Sequence, residues 1–379
     1  MMSSRDNVNA LFRKEKAEYI GLHDSPWGDT MRAWIEQGYP TRKVRKKVQE
    51  NGKEVEKEVD EPLSNVELFG FDIVSVGGWF DTMPLKGVSE LVEESDEWIV
   101  RRNGAGAALK YWKNKSGTPE HIDFRMNSRE VWERDYRPHL LQPDPSRVNI
   151  DGSRSALAEW RTKNKWTYYG HLFIWENMRQ SMGDYNLYQS LLLDPGWIHD
   201  YNRVYTDFFK AHYRILFEQA GIPDGIWMYE DLGYRGKLFC SPKLLDELIF
   251  PYYREMLDFF HSYGLPVVLH SCGYQTPALP LIVDAGFDGL NPMEVKAGCD
   301  VVEYARKYGD KLVFIGGCDA RIFETNDRAV IRRGVTDLMK RMKDVGARWI
   351  FASDHSLSTN IRYDSYRYAV EVYRENMWY

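Results

Sequence analysis

The second half of the chain alternates short apolar runs with longer amphipathic stretches. From about position 220, we interpret the runs at 225–229, 265–269, 287–290, 312–315 and 348–352 as β-strands. Between them, apolar residues recur with helical spacing, as over 242–263 and 329–345. This alternation predicts βα units around a parallel sheet. Five such units in succession make up more than half of an eight-stranded barrel.

The first half of the chain is more varied. Strands are predicted at 69–76 and 167–173, and the turn signals Asn103-Gly-Ala-Gly106 and Ser116-Gly117 predict a β-hairpin or meander over 98–123, inserted at the barrel edge. The Lys- and Glu-rich segment 41–60, around Asn51-Gly52, is typical of a solvated hairpin or loop. Because we find no linker or repeat, we predict one domain over 1–379, with 1–65 as an N-terminal extension packing on the barrel.

Composition narrows the classes of function. The 379 residues are 43% hydrophobic and 28% charged, which is typical of a globular protein with a large core. Fifty basic and 56 acidic residues give a net charge of −6, so no overall positive field attracts polyanions. We therefore expect a small-molecule partner and no nucleic acid.

The cysteine content and the N-terminal residues indicate in which cellular compartment the protein is expected. Four cysteines are too few for a disulfide scaffold, which favours free thiols in a reducing environment. The first residues mix polar and charged types, and no apolar run approaches the roughly 18 residues of a membrane span. A cytoplasmic protein without a membrane partner is expected.

Polar, chemically capable residues follow the predicted strands directly. In a parallel barrel the active site lies at the carboxyl ends of the strands, so these positions are the first candidates for chemistry. They are Glu230 and Asp231, His270 and Cys272, Asn291 and Glu294, Cys318 and Asp319, and Asp354 and His355.

His270 and Cys272 are the most specific pair. Positions i and i+2 of an extended strand share a face, so both side chains can reach one ion. Imidazole and thiolate are zinc ligands. The alternative is a hydrogen-bonded core histidine beside a buried cysteine that only packs.

Other strand-end residues suggest how a substrate is held. Adjacent carboxylates at Glu230 and Asp231 suit a general acid or base, or binding of a cationic group; the alternatives are a helix cap or an ion pair with Arg235. Asp319 is a further candidate substrate contact. The candidates for an aromatic wall are Trp27, Trp79, Trp175 and Tyr229, although most of the 13 Trp and 24 Tyr residues must belong to the core.

Several segments together resemble a known family. Phe250-Pro-Tyr-Tyr-Arg254, His270-Ser-Cys-Gly273, Gly316-Gly-Cys-Asp319 and Ser353-Asp-His-Ser356 are similar to motifs of the uroporphyrinogen decarboxylase superfamily, and His-Ser-Cys-Gly is the most specific. Leu22-His-Asp-Ser-Pro-Trp27 extends the resemblance towards the branch of corrinoid-linked methyltransferases. The resemblance spans nearly the whole chain and implies a single (β/α)₈ TIM barrel, with the N-terminal extension and hairpin insertion added.

The resemblance also implies a metal site. Thiol-methylating relatives bind zinc through a His-x-Cys pair and a cysteine of the last strand, and related methionine synthases add a glutamate. Here those positions are His270, Cys272, Glu294 and His355, where histidine replaces the usual cysteine, with Cys318 as a substitute ligand. Glu294 has the alternative role of a helix-N-terminal acid. The Gly316-Gly317 pair before Cys318 has the alternative role of permitting a tight turn.

The implied reaction is methyl transfer. True uroporphyrinogen decarboxylases bind their polycarboxylate substrate with an Arg-rich N-terminal segment, whereas the stretch 27–34 holds only Arg32. The cobalt-ligating motif Asp-x-His-x-x-Gly is absent, so a corrinoid would come on a partner protein. We therefore expect a zinc-dependent methyltransferase moving a methyl group between a small methylated substrate or carrier and a corrinoid protein or thiol, with Asp231, His270 and Cys272 as catalytic residues. A metal-independent decarboxylase or lyase and a non-catalytic binding barrel are the alternatives, and the oligomeric state is open.

Overall fold

Eight parallel strands form the centre of the molecule. The computed structural model describes residues 2–50 and 53–379. In chain order the strands are β1 (Gly21–Leu22), β2 (Ile73–Ser75), β3 (Trp166–Leu172), β4 (Gly225–Tyr229), β5 (Val267–Ser271), β6 (Gly289–Pro292), β7 (Val313–Ile315) and β8 (Trp349–Phe351). They pair in the order β1-β8-β7-β6-β5-β4-β3-β2. Sequential parallel pairing of this kind is the (β/α)₈ barrel, which confirms the predicted fold class.

A carboxylate bridges the remaining gap, between β1 and β2. The Leu22 N–H donates to Asp72 Oδ2 at 2.7 Å, and the Asp72 N–H donates to the Leu22 carbonyl at 2.8 Å. Because β1 contains only two residues, this side chain replaces the missing ladder bond. The first barrel strand therefore lies inside the segment that the sequence assigned to the N-terminal extension.

Helices cover the outside of the barrel. Those between the strands and after β8 are Gly28–Glu36, Asn65–Phe69, Arg129–Val131, Ile150–Thr162, Ile174–Leu193, Pro195–Gln219, Pro242–Leu248, Phe250–His261, Leu279–Ala285, Val301–Tyr308, Ala320–Glu324, Arg328–Asp344 and Tyr363–Asn376. The continuous helix predicted over 242–263 is two helices. The break falls at Ile249, just before Pro251, which has no N–H to continue the ladder.

The N-terminal helix Ser4–Phe12 closes the bottom of the barrel, at the amino ends of the strands. Val8 and Leu11 are buried among interior strand residues, and the Phe12 ring stacks on Trp166 at 5.2 Å. Because this end is filled with apolar side chains, access to the barrel interior is from the carboxyl ends of the strands.

Three antiparallel insertions extend from the barrel in the described residues, and the smallest pairs Gly233–Tyr234 with Lys237–Leu238 after β4. Thr41–Glu50 and Lys53–Pro62 pair as the hairpin predicted for 41–60, and Asn51 and Gly52 lie outside the described residues. Ser89–Glu94, Trp98–Asn103, Ala107–Trp112 and Glu120–Phe124 form a four-stranded meander, one strand longer at its start than the predicted segment. In the part of the chain that the structure describes, no helix has the length and apolar character to span a bilayer.

Candidate active site

Three potential metal donors meet at the carboxyl ends of β4 and β5. Asp231 lies two residues beyond β4, His270 lies within β5, and Cys272 follows β5 directly. Their donor atoms all lie within 4.8 Å of one another. His270 Nε2 is 3.4 Å from Cys272 Sγ and 3.9 Å from Asp231 Oδ1. The i, i+2 spacing thus places the His270 and Cys272 side chains on the same face of the chain, as the sequence predicts.

A residue of the neighbouring strand β6 determines which ring nitrogen of His270 carries the proton. His270 and Asn291 are register partners on β5 and β6, and His270 Nδ1 lies 2.6 Å from Asn291 Oδ1. The Asn291 amide nitrogen donates to the Ile315 carbonyl at 2.9 Å, so Oδ1 is the accepting atom. His270 Nδ1 therefore carries the proton, and the Nε2 lone pair faces Cys272 and Asp231. This is how proteins orient an imidazole for a metal ion.

If these donors hold zinc, Asn291→Ala is expected to lower the affinity for the ion about 10- to 100-fold, because the imidazole loses the partner that fixes its tautomer and orientation. Competition with a fluorescent chelator measures this affinity. Asn65→Ala is the matched control, since Asn65 also lines the cavity at this end of the barrel but bonds to Tyr39. Equal zinc affinity in the two variants would contradict the orienting role of Asn291.

Asp231 ties the two strand ends together. Its Oδ1 accepts a hydrogen bond from the Cys272 N–H at 2.7 Å. Burial, and then the nearby charge of Asp231, raises the pKa of the Cys272 thiol above its ordinary value. Burial also lowers the pKa of His270, which keeps the imidazole neutral and able to act as a ligand. A bound cation would oppose the first effect by stabilising the thiolate, so this donor set suits a divalent metal.

The turn after Cys272 requires glycine. Gly273 has φ +78°, and a Cβ there would lie 2.3 Å from the backbone of Gly233. Its N–H donates to Glu294 Oε2 at 2.8 Å, and Glu294 Oε1 is 3.2 Å from Lys296 Nζ. Only glycine fits this close approach, which explains the fourth residue of the His-Ser-Cys-Gly motif.

A cavity of about 850 Å³ opens above the three donors. Trp27, Tyr229 and His355 are among its lining residues, together with Asp231, His270 and Cys272. None of the lining residues in the described ranges, 2–50 and 53–379, is a lysine or arginine. A substrate with several carboxylates would therefore find no cationic side chain on the cavity wall.

The other three predicted metal ligands, Glu294, His355 and Cys318, are not part of this group of donors. Glu294 lies outside the group of three donors and holds the Gly273 turn, as described above. His355 lines the cavity, with its ring edge-to-face against Trp27 at 5.5 Å. Cys318 is fully buried, pairs by its backbone with Ser353, and follows a glycine pair in which both φ angles are positive. Metal binding by Glu294 and His355 stays a prediction, whereas Cys318 lies outside the cavity lining.

Four residues expected to contact substrate or to form an aromatic wall do not line the cavity. Glu230 is fully buried after β4, where its carboxylate accepts from the backbone N–H groups that begin the helix Ile174–Leu193 and from Tyr253. Asp319 caps a short helix and pairs with Arg321 at 2.7 Å. Trp79 is half-exposed and stacks on the Tyr229 ring, at 5.5 Å between ring centroids. Trp175 is fully buried, and its indole N–H donates to the Asp231 carbonyl at 2.7 Å. Glu230 therefore takes the helix-capping role named above as its alternative, and Asp319 likewise binds a helix N-terminus.

Among the cavity residues that sequence reasoning missed, His23 and Asp24 carry acid–base groups. Both follow β1, so the strand-end rule would have found them, but β1 has only two residues and no apolar run marks it. Asp24 accepts hydrogen bonds from Ser353 Oγ at 2.6 Å and Tyr366 Oη at 3.0 Å, and burial raises its pKa to about 6. Burial lowers the pKa of His23 to about 4, so this imidazole is neutral at pH 7.

Comparison with known proteins gives the family. The family model "Uroporphyrinogen decarboxylase (URO-D)" matches residues 179–376, which is more than half of the chain and includes β4 to β8 with the three donors. The chain therefore belongs to the uroporphyrinogen decarboxylase family. No curated protein matches the sequence.

One solved structure has the same barrel fold. A "methyltransferase from Methanosarcina mazei" superposes with a TM-score of 0.68 at 13% sequence identity, covering 99% of each chain. At this identity the likeness shows the fold alone. A Xaa-Pro dipeptidase with bound methionine reaches a TM-score of 0.31 at 11% identity, covering 59% of this chain and 56% of the other, which is too low to bear on the fold.

Proposed function

We propose that this protein is a zinc-dependent methyltransferase that moves a methyl group between a small methylated substrate or carrier and a corrinoid protein or thiol. The observation that carries the proposal is the meeting of Asp231, His270 and Cys272 at the open end of the barrel. Their nitrogen, sulfur and oxygen donors match the preferences of zinc. Membership of the family and the fold shared with a methyltransferase are consistent with this reaction class.

The protein's own residues set up the site. His270 presents the Nε2 lone pair because Asn291 holds its other nitrogen, and Cys272 presents sulfur from the same face of β5. Asp231 adds an oxygen, so three donors leave the cavity side open for a substrate atom. Zinc held there would act as a Lewis acid that lowers the pKa of a bound thiol or polarises a leaving oxygen. Glu294 and His355 are candidates for a further ligand.

The cavity argues against porphyrinogen decarboxylation despite the family name. Binding several carboxylates in a confined space requires cationic side chains. The described residues of the wall include two carboxylates, Asp24 and Asp231, and neither lysine nor arginine. A corrinoid, on this proposal, arrives on a separate carrier protein at the open face.

The experiment that tests the proposal is elemental analysis of the purified protein, with one cysteine removed at a time. We expect about one zinc per chain, removable by a chelator, and loss of most of it in Cys272→Ser because the serine hydroxyl is a poor zinc ligand. Cys318→Ser is the matched control, since Cys318 is buried outside the cavity wall and should keep its zinc. Zinc retained in Cys272→Ser but lost in Cys318→Ser would place the metal site at Cys318 instead of Cys272. A wild-type protein without zinc would refute the proposed zinc site.

A further inference from the structure

We propose that the small methylated substrate of this site is a cation, a methylated ammonium compound. The inference names the substrate class and rests on the proposed function for the reaction, but the binding it predicts does not require zinc. Two independent features of the cavity carry it: the signs of the charges on its wall and the aromatic rings that also line it.

The charges on the wall are all of one sign. Of the side chains that line the cavity within residues 2–50 and 53–379, the ionisable carboxylates are Asp24 and Asp231, and there is no lysine or arginine to balance them. In the metal-bound site, Asp231 and the Cys272 thiolate would together offset the two positive charges of zinc. Asp24 then remains as a net negative charge, so the cavity attracts a cation and repels an anion.

Hydrogen bonds hold the Asp24 carboxylate in place. Ser353 Oγ donates to Oδ1 at 2.6 Å, while Tyr366 Oη and the Ser353 N–H approach Oδ2 at 3.0 and 3.2 Å. Asp24 is 7% exposed, so solvent screens its charge weakly. Among the polar contacts of Asp24 in the described chain there is no ion pair, which leaves its charge available to a ligand.

Aromatic rings form much of the remaining wall. Trp27 and Tyr229 line the cavity, and Tyr229 lies 5.1 Å from the His270 ring between ring centroids. An ammonium group with methyl substituents binds aromatic faces well, because it spreads its charge over the methyl hydrogens and is weakly hydrated. A methyl group seated against Tyr229 would lie beside the metal ligand, where a methyl transferase needs it.

Neutral and anionic methylated substrates would bind less favourably in this cavity. A neutral methoxylated aromatic compound can stack on the rings but gains nothing from Asp24. A methoxylated benzoate would bring its carboxylate into a cavity whose described wall has negative charge and neither lysine nor arginine. The combination of aromatic faces with an unpaired carboxylate is specific to a cation.

The test compares two ligands of the same shape. Choline and 3,3-dimethylbutan-1-ol differ in that a quaternary nitrogen replaces a quaternary carbon, so their affinity ratio isolates the effect of the charge. Titration calorimetry on the full-length protein is expected to show choline binding about tenfold more tightly than the alcohol. The anion 3,4,5-trimethoxybenzoate is expected to bind most weakly. Equal affinities for the matched pair, or tightest binding of the anion, would overturn the inference.

Variants locate the effect in the cavity. Asp24→Asn removes the charge and keeps one of the two acceptor oxygens, while its amide nitrogen can donate to a neighbouring hydroxyl oxygen. Trp27→Leu removes an aromatic face. Each variant is expected to abolish most of the choline preference. Asp310→Asn, at an exposed turn, is expected to leave it unchanged. A preference that survives both cavity variants would contradict the proposed location.

Repeating the titrations after chelation separates this inference from the proposed function. Choline preference in a protein that binds no zinc would support the cation site while refuting the zinc enzyme. A zinc-loaded protein that does not discriminate between the matched ligands would refute the cation site and leave the metal assignment standing.

Discussion

His270→Ala is expected to lower methyl transfer about a thousandfold or more and to remove most of the bound zinc. The alanine eliminates the nitrogen donor whose orientation Asn291 fixes, and the several kcal/mol that a metal contributes to the transition state are lost with the ion. Asp231→Asn should cost less, because the amide keeps an oxygen donor and an acceptor for the Cys272 N–H. The measurements are zinc content and demethylation of methylamines and methoxylated aromatics, with a methyl-accepting corrinoid protein.

The opposite order of effects would indicate a metal-independent decarboxylase. In that reaction Asp231 would supply the proton or stabilise the developing charge, so Asp231→Asn would be the inactive variant and chelators would have no effect. Release of CO₂ from uroporphyrinogen is the assay for that activity. His261→Ala is the control for the histidine change, since His261 pairs with Asp288 at the opposite end of the barrel. It should match the wild type in both assays.

Glu230→Ala is expected to lower the free energy of unfolding by about 3–5 kcal/mol, because it leaves several buried donors without an acceptor. The carboxylate accepts from the N–H groups of Phe173 and Trp175, both at 2.8 Å, from that of Glu176 at 3.2 Å, and from the Tyr253 hydroxyl. Glu230 is fully buried, so these donors are not exposed to solvent in the wild type. Denaturant titration measures the effect.

Glu218→Ala provides the stability control, because Glu218 is exposed on the helix Pro195–Gln219 and its loss should change the unfolding free energy by less than about 0.5 kcal/mol. Where Glu230→Ala still folds, its affinity for zinc should equal that of the wild type. A folded variant of unchanged stability that had lost substrate affinity would instead restore Glu230 to the substrate site.

Local sequence patterns were sufficient for most of the architecture. Each βα unit from β4 onward carries its own signal, an apolar run followed by an amphipathic stretch, so these five units indicate more than half of a parallel barrel, and the family resemblance supplied the complete eight-stranded form. The two-residue period of a strand likewise places His270 and Cys272 on one face without reference to any other segment. The same period explains why Glu230 points away from the cavity while its neighbours Tyr229 and Asp231 line it.

Contacts between distant segments decided the rest. Which carboxylate joins His270 and Cys272 depends on the relative positions of β4 and β6, and the structure brings Asp231 to the pair while Glu294 holds a turn. Asn291 orients the histidine only because β5 and β6 pair in one register. Two residues are too few to show a strand pattern in the sequence. Gly21–Leu22 is a strand because it pairs with β8 and bonds to Asp72. The sequence by itself determined the βα units of β4 to β8 and the His-x-Cys pair, because these are local patterns. Only the tertiary structure decided the third potential metal donor, the first barrel strand and the charge on the cavity wall, because each depends on groups that meet from distant parts of the chain.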